Sequence, residues 1–371
     1  MLAAFGLAAA LSCGGSGGTS ADVRSGGTSP TGTPAPAPTS SAPKLDGLSA
    51  GSTVAGQVSL SASVPAGTAK VDFQVDGATV ATVPAAPFAT TWDSFSVANG
   101  SHTIAVRATD SAGTAKAGDA VPVSVDNRIG HVFVILLENH DWSQIKGNAS
   151  APYINGTLLA HDATPSVHRL STSQHLTGLL NDAGVSWKSY QEDISGNDCP
   201  LSYVNLYAPR HNPMIYFNDI NGGLDSGNAG CISHVRPYAE LSRDLETDNV
   251  PAYSFITPNT CDDMHDSSGC ATTNSVANGD AWLSREVPKI LASRAYKNGG
   301  ALFITWDESE GGNVPIGFIA LSPLAKAGYS NQIAYSHSST LRSIQTILGV
   351  QPFLGDAANA TDLRDLFRTF P

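Results

Sequence analysis

Three apolar runs in this 371-residue chain end in side chains that could do chemistry. V-F-V-I-L-L is followed by Glu138, Asn139 and His140, F-I-T-W by Asp307 and Glu308, and Y-S-F-I-T-P-N by a stretch holding Asp262, Asp263, His265 and Asp266. Hard oxygen donors of this kind suit a hard divalent cation, which can polarise a phosphoryl oxygen and activate a hydroxyl nucleophile. Taken singly, each acidic group could cap a helix or sit in a solvated loop. Three of them at three run ends point to one shared site. Arg210 and His211 stand just before Asn212-Pro213. A guanidinium matches phosphate geometry better than an ammonium does, so these two are candidate substrate contacts, with a structural role equally open. His161 and His175 follow no such run and read as surface or packing histidines.

The elements that must position these groups are legible as well. His131 to Leu137, Ala252 to Ile256, Ala301 to Thr305 and Ile316 to Leu321 are short continuous apolar runs, separated by helical periodicity at Ala281 to Arg294 and Ser338 to Leu348. Strands with both faces apolar belong in a mostly parallel α/β sheet, whose ligands bind beyond the carboxyl ends of the strands. This assigns residues 129–371 to one α/β domain. Residues 45–127 instead alternate apolar and polar. Asp76-Gly77 supplies the positive φ angles of a tight hairpin with Ala78 to Val83 as the returning strand, and Asn99-Gly100 repeats the device before Thr103 to Thr109. A small all-β sandwich is expected there.

Between residues 14 and 44 every residue except Asp22, Val23, Arg24 and Lys44 is Gly, Ser, Thr, Pro or Ala, the composition of a disordered linker. Residues 1–13 read as a lipoprotein-type signal. The apolar stretch ends in Ala10, Leu11, Ser12 and Cys13, and Cys13 is the expected lipidation site, with ordinary secretion as the alternative. No apolar run reaches the roughly 20 residues of a spanning helix, so any membrane contact is expected through the lipid alone. Setting Cys13 aside leaves Cys199, Cys231, Cys261 and Cys270, an even number suited to two disulfides. Sequence order favours 199 with 231 and 261 with 270, among three possible connectivities, and no pair has zinc-ligand spacing. The 20 Lys and Arg against 32 Asp and Glu give a net charge of −12, which excludes nucleic-acid binding as the default role.

V-D-F-Q-V-D-G together with N-G-S-H-T-I-A-V-R-A-T-D-S-A-G resembles bacterial immunoglobulin-like domains, which implies a spacer or weak glycan binder. No aromatic platform is legible, so a spacer is expected. From Ile129 to Pro371 the chain resembles the phosphoesterase family that groups bacterial phospholipases C, plant non-specific phospholipases C and secreted acid phosphatases. The stretches that carry the resemblance are H-V-F-V-I-L-L-E-N-H, S-W-K-S-Y-Q-E-D, Y-A-P-R-H-N-P, P-N-T-C-D-D-M-H-D, A-L-F-I-T-W-D-E-S-E-G-G and Y-S-H-S-S-T-L-R-S-I-Q.

The resemblance implies an alkaline-phosphatase-like three-layer sandwich and hydrolysis of phosphate esters. It implies a divalent metal ion held by Glu138, Asn139, Asp307 and Glu308, with His265 and His337 at the phosphate or leaving group. Arg210, His211, Asp262 and Asp263 complete the expected substrate-binding set. Family members carry the nucleophile in a P-S-x-P-N type stretch. Here A-T-P-S-V-H-R-L aligns Pro165-Ser166 with it, while His168 and Arg169 replace Pro and Asn and the following loop is shorter. Ser166 is the expected nucleophile, at a helix N-terminus whose free amides favour an anion. The bland alternative is a helix cap, and Thr164, Ser171 or Thr172 could stand in its place.

The sequence thus predicts an exported phosphoric ester hydrolase, anchored by lipid to a bacterial envelope, that acts on a small phosphomonoester or a phospholipid head group. The alternative is a catalytically impaired surface-binding lipoprotein with the same domain. A serine carboxylesterase is disfavoured, because both G-x-S-x-G matches, Gly14 to Gly18 and Gly47 to Gly51, lie outside the α/β domain.

Overall fold

A computed structural model describes residues 42–154, 175–310 and 314–371, and the backbone of 162–164. Nine strands come first: β1 (Lys44–Asp46), β2 (Ser52–Val54), β3 (Gln57–Ser63), β4 (Thr68–Val75), β5 (Ala78–Val83), β6 (Ala89–Asp93), β7 (Gly100–Asp110), β8 (Ala115–Ala117) and β9 (Val121–Val125). They form two sheets, β1-β3-β6 and β2-β9-β7-β4-β5, with β8 paired to β7. Period-2 burial closes them over one core in which Leu60, Phe73, Trp92, Ile104 and Val106 meet. Asp76 (φ 49°) and Gly77 (φ 80°) turn the β4–β5 hairpin as read from the sequence. Asn99-Gly100 does not turn a hairpin: β6 pairs with β3 and β7 with β4, so this dipeptide lies where the chain crosses between sheets. The Asn99 side chain instead accepts a hydrogen bond from the Asn127 backbone N–H at 2.9 Å.

The strands that follow are β10 (Val132–Leu137), β11 (Asp162–Thr164), β12 (Trp187–Gln191), β13 (Val235–Pro237), β14 (Tyr253–Thr257), β15 (Ala301–Trp306), β16 (Phe318–Leu321) and β17 (Ser330–Ala334). Their helices are α1 (Trp142–Ile145), α2 (Leu176–Asp182), α3 (Asn218–Asn221), α4 (Ala229–His234), α5 (Ala239–Glu246), α6 (Ser275–Ala292), α7 (Arg294–Lys297) and α8 (His337–Leu348). The sheet order is β13-β12-β14-β10-β15-β16, parallel except for the antiparallel edge strand β16, while β11 and β17 pair separately.

The pleat of β10 shows why both faces are apolar. Val132 and Val134 face a core shared with Leu180 of α2 and Ile344 of α8. Phe133, Ile135 and Leu137 face the opposite core, with Leu241 of α5 and Trp282, Leu283 and Val287 of α6. The sheet is the middle of three layers. Strands β12 and β13 were not visible as apolar runs. W-K-S-Y-Q pairs most of its buried polar side chains: Gln191 donates to Ser189 and to Thr257, both at 2.9 Å, and the Tyr190 hydroxyl donates to Asp244 at 2.6 Å, while the Gln191 oxygen is left without a partner. Disulfides join Cys199 to Cys231 and Cys261 to Cys270, as sequence order favoured.

The expected spacer is packed onto the α/β domain. Ala55 is buried in the core of that domain, and Phe95 packs against it. Arg368 donates to Asp93 at 2.8 Å, and its guanidinium lies 4.0 Å from the Phe95 ring. Gly56 (φ 62°) backs onto Pro323 so closely that a Cβ would stand 2.6 Å from the Pro323 carbonyl oxygen. Gly113 (φ 85°) has the same backbone handedness but nothing within 4 Å. Each Gly→Ala change should cost about 1–2 kcal/mol through backbone strain. Gly56→Ala should cost more than Gly113→Ala, and equal urea midpoints would show that the packing contributes nothing.

Candidate functional site

Parallel register brings the chemistry together. Leu137 of β10 is level with Trp306 of β15, so Glu138 and Asp307 leave the sheet side by side, with the Asp307 N–H bonded to the Leu137 carbonyl at 3.0 Å. Asn139 then turns through a left-handed conformation (φ 46°), which an asparagine tolerates better than most residues. Its backbone N–H donates to Asp307 Oδ1 at 3.2 Å and its side-chain amide to Glu138 Oε2 at 2.6 Å. The Glu308 N–H also donates to Asp307 Oδ1, at 2.6 Å, while the Glu308 side chain is exposed. Burial, reinforced by the Glu138 carboxylate beside it, pushes the Asp307 carboxyl up to about 6.

The loop after β14 is tied to the same corner, because the Glu138 N–H donates to the Asp263 carbonyl at 2.8 Å. Between these residues lies His211, 4% exposed, with Nε2 3.0 Å from Glu138 Oε1 and Nδ1 2.9 Å from Asp263 Oδ2. Neither ring nitrogen makes a well-directed hydrogen bond, so the bridge is an ion pair at contact distance rather than an aligned donor chain. Burial opposes charge on this ring, but the two carboxylates outweigh it and raise the imidazole to about 9. His211 and Asp263 are therefore a correction to the expected substrate contacts. Both are buried, and they face each other and Glu138 instead of an open cleft. Asp263 Oδ1 also accepts the His265 backbone N–H at 2.8 Å. Asp262, half-buried, lies 4.0 Å from the Arg285 guanidinium.

His265 and Arg210 lie above the bridge, with the His265 ring 5.8 Å from that of His211. Arg210 donates to His265 Nε2 at 3.2 Å and to the Tyr203 hydroxyl at 2.7 Å, and His265 Nδ1 lies 2.8 Å from Asp266. A guanidinium has only donors, so Nε2 is the acceptor and the ring proton sits on Nδ1, toward Asp266. His337 opens α8 and donates from Nε2 to the Asp307 carbonyl at 2.7 Å, which ties that helix to the end of β15. Ser166, Ser171, Thr172, His161, Cys13 and the Thr164 side chain lie outside the described residues.

Two residues escaped the sequence reading. Tyr203 is one, 64% exposed and bound to Arg210. The other is Glu192, directly after β12, whose two oxygens accept from Trp282 Nε1 at 2.7 Å and the Asn259 N–H at 2.9 Å. Burial pushes Glu192 up to about 7. Its position beyond a strand end was the available signal, hidden because β12 itself was not recognised.

Among the described residues no group of three or more His, Cys, Asp or Glu side chains is arranged to hold a metal ion. The chemistry of the donors present still fits a hard cation. Two carboxylates are held together against their own repulsion, beside an amide, and a cation between them would relieve that repulsion.

The model of the Phosphoesterase family matches residues 155–351, more than half of the chain. The chain belongs to the Phosphoesterase family. A bacterial Ig domain model matches residues 45–106, over the first β-sandwich. Among curated relatives, a phosphatidylinositol-3-phosphatase of Mycobacterium tuberculosis is 26% identical over 268 residues, covering 64% of this chain and 82% of that protein. A probable acid phosphatase of Kluyveromyces lactis is 24% identical, over 57% of this chain and 56% of that protein. A phosphate-repressible acid phosphatase of Penicillium chrysogenum is 26% identical, over 48% of this chain and 43% of its own length. The chain thus spans most of the mycobacterial relative and about half of each fungal one. Family and relatives together make this a phosphoric ester hydrolase, and the corner formed by β10, β14 and β15 is its candidate site.

Proposed function

We propose that the enzyme hydrolyses phosphate esters outside the cytoplasm, with Ser166 as nucleophile and Glu138, Asn139, Asp307 and Glu308 as the holders of a divalent cation. The observation that carries this reading is the pairing of the Glu138 and Asp307 carboxyls at two adjacent strand ends of a family member. A bound divalent cation would supply charge neutralisation at the non-bridging phosphate oxygens and ease deprotonation of a hydroxyl. The chain's own groups do the rest. Arg210 offers its N–H donors to the phosphate, which then replaces His265 Nε2 as their acceptor. His265, oriented by Asp266, is left with Nε2 free to take up the Ser166 hydroxyl proton and pass it to the leaving oxygen. His211 holds Glu138 and Asp263 in place, and His337 fixes the Asp307 backbone. Ser166 forms the bond to phosphorus as the ester oxygen departs, and water then releases the phosphate.

Two disulfides favour an oxidising compartment and hence export. Anchoring through Cys13, and an alkaline-phosphatase-like architecture for the α/β domain, are part of the same proposal. The test is release of p-nitrophenol from p-nitrophenyl phosphate by the full chain, with Ser166→Ala beside it. Wild-type turnover should fall by at least ~10³-fold in the variant, since unaligned water lacks the effective concentration of a positioned hydroxyl. Full activity in Ser166→Ala would remove the nucleophile assignment. No release by the wild type would favour the impaired surface-binding lipoprotein instead.

A further inference from the structure

A cleft of about 740 Å³ opens beside this corner. One wall begins at His140, two residues after Glu138, and continues through Ser143 and Lys146. The facing wall runs from Ser267, two residues after His265, to Thr273 at the approach to α6, and Glu310 closes an end. Val276 is its single large apolar lining residue. The imidazole of His140 joins the walls, with Nδ1 3.1 Å from the Glu138 carbonyl and Nε2 3.4 Å from the Ser275 hydroxyl. Glu310 accepts a hydrogen bond from Gln144 across the mouth.

We propose that this cleft receives the leaving group of the substrate and selects phosphate esters of polyhydroxylated alcohols, such as sugars and polyols, over esters of apolar alcohols. The proposal rests on the phosphoesterase reading of the adjoining corner. Because His140 and Ser267 stand two residues from Glu138 and His265, an ester with its phosphorus against Glu138 and Asp307 and its leaving oxygen toward His265 would extend the rest of the molecule toward these walls. The volume is within the ~300–1,000 Å³ usual for small-molecule sites. The lining decides the chemistry. Hydroxyls and amides can bond a ligand's hydroxyls, whereas an alkyl chain would cover them and return no hydrogen bonds. Sites built to bond a substrate hydroxyl discriminate strongly against analogues that lack it.

The polyol could be free or could be the head group of a lipid, so the assay has both arms. kcat and KM are measured on the full chain with p-nitrophenyl phosphate, sorbitol 6-phosphate, octyl phosphate, and phosphorylated phosphatidylinositol in phosphatidylcholine vesicles. Wild-type kcat/KM for sorbitol 6-phosphate or for the inositol lipid should exceed that for octyl phosphate by about 10²-fold or more. The arm that does so names the source of the polyol. The Ser143→Leu/Thr273→Leu variant, altered at two exposed residues of the cleft, should lower the ratio of kcat/KM for the polyol ester to kcat/KM for octyl phosphate at least tenfold. Equal wild-type kcat/KM for octyl phosphate and both polyol esters, or a variant that handles all esters like wild type, would overturn the proposal. Failure on p-nitrophenyl phosphate as well would instead mark failure of the phosphoesterase reading itself.

Discussion

Asp307→Asn should remove nearly all turnover while making the metal-free protein more stable at neutral pH. The two effects have one cause. Asp307 is held, partly buried, beside the Glu138 carboxylate, and its carboxyl is pushed up to about 6. A carboxyl whose folded pKa lies above its unfolded value of about 3.9 weakens the fold progressively as pH rises from about 4 to about 6, and the penalty persists above that range. Asparagine keeps an oxygen to accept the N–H groups of Asn139 and Glu308 but carries no charge. The expected gain is on the order of 2 kcal/mol at pH 7, falling to nothing below about pH 4. Activity should drop on the order of 10³-fold, because charge stabilisation of the transferring phosphoryl group is lost. Divalent cation should raise the melting temperature of the wild type and leave that of the variant nearly unmoved. Melting curves from pH 4 to 7, with and without chelator, check the stability part and p-nitrophenyl phosphate turnover the rest. A variant that is both active and unchanged in stability would end the assignment of Asp307 to the site.

The two disulfides should dissociate stability from activity in opposite senses. Cys199–Cys231 closes a 32-residue separation and Cys261–Cys270 a separation of 9. By loop-closure entropy their removal costs about 4 and about 3 kcal/mol respectively. The shorter loop, however, carries Asp263, His265 and Asp266. It also carries Met264, buried in a left-handed conformation (φ 80°) against Gly279, where a Cβ would come within 2.4 Å of the Met264 side chain. Cys261→Ser/Cys270→Ser should therefore lose the greater part of its activity, about 10²-fold through misplacement of His265, at the smaller cost in stability. Cys199→Ser/Cys231→Ser should show the reverse, with a lower urea midpoint and near-normal kcat in the surviving folded fraction. Equal activity in the two variants would mean that the short loop holds its shape without its covalent clasp.

What could be read from the sequence follows from what leaves a local trace. The parallel strands β10, β14 and β15 are buried on both faces, so their apolar runs marked them and the acidic residues after them marked the candidate site. β12 and β13 left no such trace, since polar Ser189 and Gln191 interrupt the apolar pattern and hydrogen-bond to each other inside the sheet. Glu192 went unassigned with them. His211 was visible as a residue but not in its role, because nothing in Y-A-P-R-H-N-P announces that its imidazole will sit between Glu138 and Asp263, which are 125 positions apart in the chain. Asn99-Gly100 misled for the opposite reason. A genuine turn signal was overruled by the pairing of β6 and β7 in different sheets, which only the burial of Trp92 against the sandwich core decides.

The seam at Gly56, Pro323, Asp93 and Arg368 also bears on how the molecule rotates in solution. A bead on a string wobbles independently of its neighbour. With Ala55 and Phe95 seated in the core of the α/β domain, the two parts are expected to tumble as one body. The edge strand β5 then keeps a constant bearing relative to the corner where Glu138 and Asp307 meet. Any surface gripped through the sandwich would then meet that corner at a fixed angle.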